Sequence, residues 1–165
     1  NYALAYQLGF IFPLLTGALF AVLLPKVSAM RSADALAAYR RKALRLYPIV
    51  MALTLAGVLA GPPVLSLFFG DKYAAAAPIL RLMVFCFGLH VVTQPLSLAF
   101  YAVGRPHTLT WIYGVQLALL AALCIALIPL LQGMGAALAL TLSTVGAVGA
   151  IIVWSKKAIE QTAQS

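Results

Sequence analysis

Between residues 86 and 101 the polar side chains recur at helical spacing. At about 100° per residue, Cys86, His90, Thr93, Gln94, Ser97 and Tyr101 project within about a 100° arc, while Leu82, Val92 and Ala99 lie elsewhere. Hydroxyls, an amide and an imidazole on one face supply donors and acceptors for a polar ligand. The same groups serve equally as interhelical hydrogen bonds in a packed bundle. His90 is the ionisable group nearest mid-segment and could carry a proton. No Asp or Glu lies in the apolar runs around it, so neither a full acid–base relay nor a carboxylate cation site can be built here.

Arg81 stands nine residues before His90, on the opposite side of the same helix. There it reads as an interfacial arginine extending its head to water, or as the partner of an anionic group. Gln7, with Tyr2 and Tyr6, and Gln116, with Tyr113, add further polar groups to other apolar runs. The candidate binding set is therefore Arg81, His90, Thr93, Gln94, Ser97, Gln116 and Gln7. No nucleophile–base–acid set, metal-ligand spacing or phosphate-binding glycine loop accompanies it, so no enzyme, metal or cofactor is expected. Cys86 and Cys124 both fall in apolar runs and read as small hydrophobes.

The elements that position these residues follow from composition. The chain is 64% hydrophobic, has a mean hydropathy of +1.05, and only 8% of it is charged, against roughly 25% in soluble domains. A water-soluble fold is excluded. The net charge of +8 does not point to nucleic acid, because the cations lie between apolar runs rather than on a soluble face. Charge-free intervals long enough to cross a bilayer, about 20 residues each, predict an all-α polytopic bundle of five spans near 3–24, 44–69, 74–103, 108–131 and 134–155. The run 131–135, Leu-Gln-Gly-Met-Gly, is the expected break between the last two. The turn FFGDKYAAAAPILR, residues 68–81, separates the second from the third.

With alternating sides, Lys26, Arg31, Arg40, Arg41, Lys42, Arg45, Arg105, Lys156 and Lys157 share one face, and only Lys72 and Arg81 fall near the other. That excess places the first connection, the turn at Arg105 and the C-terminus in the cytoplasm. The basic connection 26–45 reads as a helix capped by Ser32, its apolar face carrying Leu36, Tyr39, Ala43 and Leu46. Arg40, Arg41, Lys42 and Arg45 would draw anionic lipid, or serve topology alone. Prolines 13, 48, 62, 63, 95 and 129 within or at the ends of spans favour a packed bundle over isolated anchors. Gly135, Ala139, Ser143 and Ala147 offer close helix contact in the last span. The opening at Asn1, without initiator methionine, basic leader or cleavage motif, reads as the interior of a longer membrane protein.

Several segments in order, YALAYQLGFIFPLLTGALFAVLLPKVS, AAYRRKALRLYP, FFGDKYAAAAPILRLM, YAVGRPH and QGMGAALALTLS, resemble the C-terminal half of polysaccharide flippases. These belong to the multidrug/oligosaccharidyl-lipid/polysaccharide exporter superfamily, which also holds MATE drug exporters and lipid II flippases. The resemblance covers nearly the whole chain. It implies helices two to six of one MATE-like six-helix lobe, paired with an N-terminal lobe of the same protein around a cavity that opens alternately to either side. It also implies a bacterial inner-membrane location and an undecaprenyl-pyrophosphate-linked oligosaccharide as substrate. The pyrophosphate ligands are then expected chiefly in the other lobe, since Arg81 is the one cation here near a span. A MATE-type drug exporter half, a lipid II flippase half and a non-transporting membrane assembly subunit are the alternatives. The last requires the stripe on the third helix to be buried in helix contacts.

Overall fold

In the computed structural model, residues 11–30, 32–69 and 76–162 are described, and every element among them is a helix: α1 (Ile11–Ser28), α2 (Ala33–Phe69), α3 (Ala77–Ala102) and α4 (Pro106–Thr162). Helices suit an apolar chain in a bilayer, because they satisfy backbone donors and acceptors within their own segment. The beginning of the first expected span and the turn at Gly70–Tyr73 lie outside the described residues.

The helix ends are set by local chemistry. Ser32 caps α2, its Oγ accepting from the Ala35 amide at 3.2 Å, as the sequence predicts, and Asp34 sits in the first turn. Pro78 stands in the opening turn of α3, where a missing amide costs nothing. At its other end Gly104 adopts φ 70°. That conformation lets the Gly104 amide donate to Tyr101 O (3.2 Å) and the Arg105 amide to Phe100 O (2.9 Å), a Schellman closure. The motif stops α3, fixes Arg105 in the turn, and starts α4 at Pro106.

Two features differ from the five-segment expectation. α2 is one continuous helix of 37 residues, running from the basic stretch through Pro48 into the apolar stretch with no break near 44. At about 1.5 Å per residue it is about 55 Å long, well over the roughly 30 Å of hydrocarbon, so its basic end has length to stand clear of the apolar layer. α4 runs 57 residues but is non-helical at Gln132 (φ 51°, ψ −129°), within the expected break. There the chain folds back on itself. Gln116 reaches Thr144, Leu119 approaches Gly146, and a side chain on Gly135 would collide with the Leu127 carbonyl. α4 is thus an antiparallel hairpin with arms 106–131 and 133–162. Among the described residues, α2, α3 and α4 are long and apolar enough to cross a membrane, and α1 is a shorter apolar helix.

α3 is the axis. Most of its apolar length is buried, whereas that of α2 is largely exposed, and the other helices sheathe it. One core joins Ala76, Leu80, Met83 and Phe87 to Ala137, just beyond the reversal of α4. At the far end Leu96 and Phe100 meet Leu109, Ile112, Ile151 and Ala158 from both arms. A third core sets Leu98 and Ala99 against Val27 of α1, Leu36 of α2 and Ile159 of α4. The outward leucines of α1, α2 and the first arm of α4 remain exposed, as lipid-facing surfaces do.

Candidate functional site

The polar stripe of α3 divides between two environments. Phe87, His90, Gln94, Ser97 and Tyr101 line one side of a cavity of about 480 Å³. Thr16, Gly17 and Phe20 of α1 close it from a second side, and Leu109 and Tyr113 of α4 from a third. Ser97 Oγ donates to Thr93 O (3.1 Å) and lies 3.4 Å from the Tyr113 hydroxyl, which links α3 to α4 at the cavity wall. Phe20 and Tyr101 meet edge to face, centroids 5.8 Å apart, and hold α1 against the stripe. Tyr101 is 42% exposed at the rim. His90 Nδ1 is buried and has no hydrogen-bond partner among the described residues.

Cys86 and Thr93 belong to helix packing instead. The Cys86 thiol donates to Thr144 Oγ1 (3.3 Å), and Thr93 Oγ1 donates to the carbonyls of Leu89 (3.0 Å) and His90 (3.1 Å). Gln116 is not among the cavity's lining residues, and its Nε2 donates to the same Thr144 hydroxyl at 3.3 Å. Arg81 is exposed near the start of α3 and is not among the cavity's lining residues. Gln7 lies outside the described residues. Of the seven candidates, the fold therefore gathers His90, Gln94 and Ser97 into one site.

Thr16, Gly17, Phe20, Phe87 and Leu109 escape a reading of the sequence. Phe87 stands three residues before His90 and shares its face, a signal hidden by its being apolar. The α1 residues carry no mark of their own, since a single helix does not reveal which of its faces meets a neighbour.

Chemically the cavity is neutral and amphipathic. Among the described residues no Asp, Glu, Lys or Arg lines it, and the polar groups they contribute are hydroxyls, one amide and one imidazole set among four aromatic rings, those of Phe20, Phe87, Tyr101 and Tyr113. Such a lining suits an uncharged, hydroxyl-rich group, which offers hydrogen bonds at its edges and C–H faces to aromatic rings. Among the described residues no three His, Cys, Asp or Glu side chains gather as a metal site would require.

The basic patch of α2 is also divided. Arg40 turns toward α4, its Nε donating to Ser155 Oγ (3.3 Å) and its Nη2 approaching Ile152 O (3.4 Å). Ser155 is fully buried, so this arginine helps fasten α2 to the second arm. Arg41, Lys42 and Arg45 stay exposed on α2. Comparison of the chain with family models, with curated proteins and with solved structures finds no match.

Proposed function

We propose that the chain is part of a flippase that moves undecaprenyl-pyrophosphate-linked oligosaccharide from the cytoplasmic to the outer leaflet of a bacterial inner membrane, for polysaccharide biosynthesis. One observation carries the reading beyond the sequence resemblance: the stripe of α3 opens onto a neutral cavity edged with aromatic rings. An assembly subunit without substrate would need the whole stripe buried in helix contacts. Cys86 and Thr93 satisfy that, but His90, Gln94, Ser97 and Tyr101 face space. A cavity lined without a carboxylate suits a neutral sugar better than a cationic drug.

In this proposal the chain crosses the membrane five times, each arm of α4 being one crossing, with the C-terminus in the cytoplasm. An N-terminal lobe of the same protein closes the other half of the cavity. The sugar is hydrated by the polar stripe while the lipid tail stays in the bilayer, which avoids moving hydroxyls through hydrocarbon. The pyrophosphate is held by cations of the partner lobe.

The test uses the full-length protein. Cysteines introduced as Gln94→Cys and Ser97→Cys, in a background with Cys86→Ala and Cys124→Ala, should react with a water-soluble thiol reagent. Gly17→Trp, placed where a new Cβ meets no atom within 4 Å, should fill the cavity and lower surface glycan in a complementation assay, as should His90→Ala. Complete protection of both cysteines, together with unchanged glycan in both variants, would sink the reading.

A further inference from the structure

Where the two arms of α4 come together at their outer ends, Arg105 and Lys157 line one cavity of about 260 Å³ with Thr108, Trp154, Phe100 and Ala158. Among the described residues no carboxylate lines it. The nearby Glu160 carboxylate is engaged by Lys156 at 3.7 Å, and Lys157 has no ion pair among the described residues. Trp154 also walls a second space of about 250 Å³ running between the arms, lined almost wholly by apolar surface. Its floor is Gly146, Ala147 and Ala150 of the second arm, and its other wall Trp111, Val115 and Leu119 of the first. A cationic cavity at the membrane edge thus adjoins an apolar groove that runs toward the reversal, with one indole shared between them.

We infer that this pair of spaces is a binding site for an anionic phospholipid, its phosphodiester between Arg105 and Lys157 and an acyl chain in the groove between Trp111 and Trp154. The charge complementarity selects the headgroup. The Arg105 guanidinium, from the turn before α4, and the Lys157 ammonium, from the second arm, meet a phosphate from two directions, and the Thr108 hydroxyl lines the same cavity. The groove selects a chain. Small residues at 146, 147 and 150 leave room that larger ones would fill, and the two tryptophans place their amphipathic rings where headgroup and tail meet. The site stands apart from the sugar cavity and does not depend on the function proposed for it. It is also distinct from the basic face of α2, since one of its cations stands in the turn before α4 and the other near the close of α4.

Native mass spectrometry of the purified full chain, released from micelles containing phosphatidylglycerol or phosphatidylcholine, tests it. The wild type should retain phosphatidylglycerol preferentially, about thirtyfold for two juxtamembrane cations. Lys157→Gln alone should lower that preference about fivefold, and Arg105→Gln with Lys157→Gln should abolish it. Arg105→Lys, which keeps the charge, controls for damage to the turn and should keep most of the preference. Gly146→Leu fills the groove and should reduce retention of both lipids, whereas Gly149→Leu, outside the groove, should not. Equal retention of the two lipids by the wild type would overturn the site. So would displacement of bound lipid by millimolar inorganic phosphate with Gly146→Leu behaving as wild type, which would mark a free-phosphate site instead.

Discussion

Gly88 shows how tightly the axis helix is held. A Cβ at this position would collide with the side chain of Thr54, which is itself buried and donates to Val50 O at 2.8 Å. Gly88→Ala should therefore destabilise the bundle by about 1–3 kcal/mol, the usual cost of forcing atoms into a packed contact. Adding Thr54→Ala removes the hydroxyl and methyl that stand nearest but keeps the Cβ, which is also in the way, so it should restore part of the loss. Thermal or detergent unfolding of the two single variants and the double would measure it, and a double variant as unstable as Gly88→Ala would refute the contact. Two residues earlier the same helix uses polarity rather than shape. One hydroxyl, Thr144 Oγ1, accepts from both Cys86 and Gln116, spending both lone pairs to join α3 to the two arms of α4.

Among the elements, α4 depends on a single residue to reverse. Gln132 holds φ 51° and ψ −129°, a conformation that suits glycine and strains any residue with a Cβ. Gln132→Gly should raise stability by about 1 kcal/mol, and Gln132→Val should lower it, both read from unfolding midpoints in micelles. Equal midpoints for all three would show the reversal to be set by packing alone, for which the close approach of Gly135 to Leu127 is the candidate. α2 makes the opposite choice and does not reverse or break. Its basic end is fastened by Arg40 to Ser155 and continues as the same helix into apolar surroundings.

For the molecule as a whole, the cations of α4 stand at both of its ends, Arg105 before it and Lys156 and Lys157 near its close. A reporter fused after Lys157 should be cytoplasmic and one fused after Gln132 external, read from paired phosphatase and fluorescent-protein fusions. A cytoplasmic signal after Gln132 would overturn the topology. Much of the architecture could be read beforehand from local signals. Ser32 ahead of Ala33-Asp34-Ala35 caps a helix, Gly104 before Arg105-Pro106 ends one, and Gln-Gly-Met-Gly interrupts another. The continuity of α2 was not legible, because the change from basic to apolar residues near 44 marks a change of surroundings and not of backbone conformation. The same distinction governs the site. Helical spacing brings His90, Gln94, Ser97 and Tyr101 to one face, but whether a polar face meets space or another helix depends on neighbours, which is why Cys86, Thr93 and Gln116 went into packing. The uncharged reversal has a consequence for how the protein is made. From Pro106 to Ser155 the chain carries no Asp, Glu, Lys or Arg, so nothing at the tip can be retained by charge while the first arm waits for the second. Both arms and their tip can therefore enter the bilayer as one uncharged pair, with the cations at its two ends left to bias its orientation.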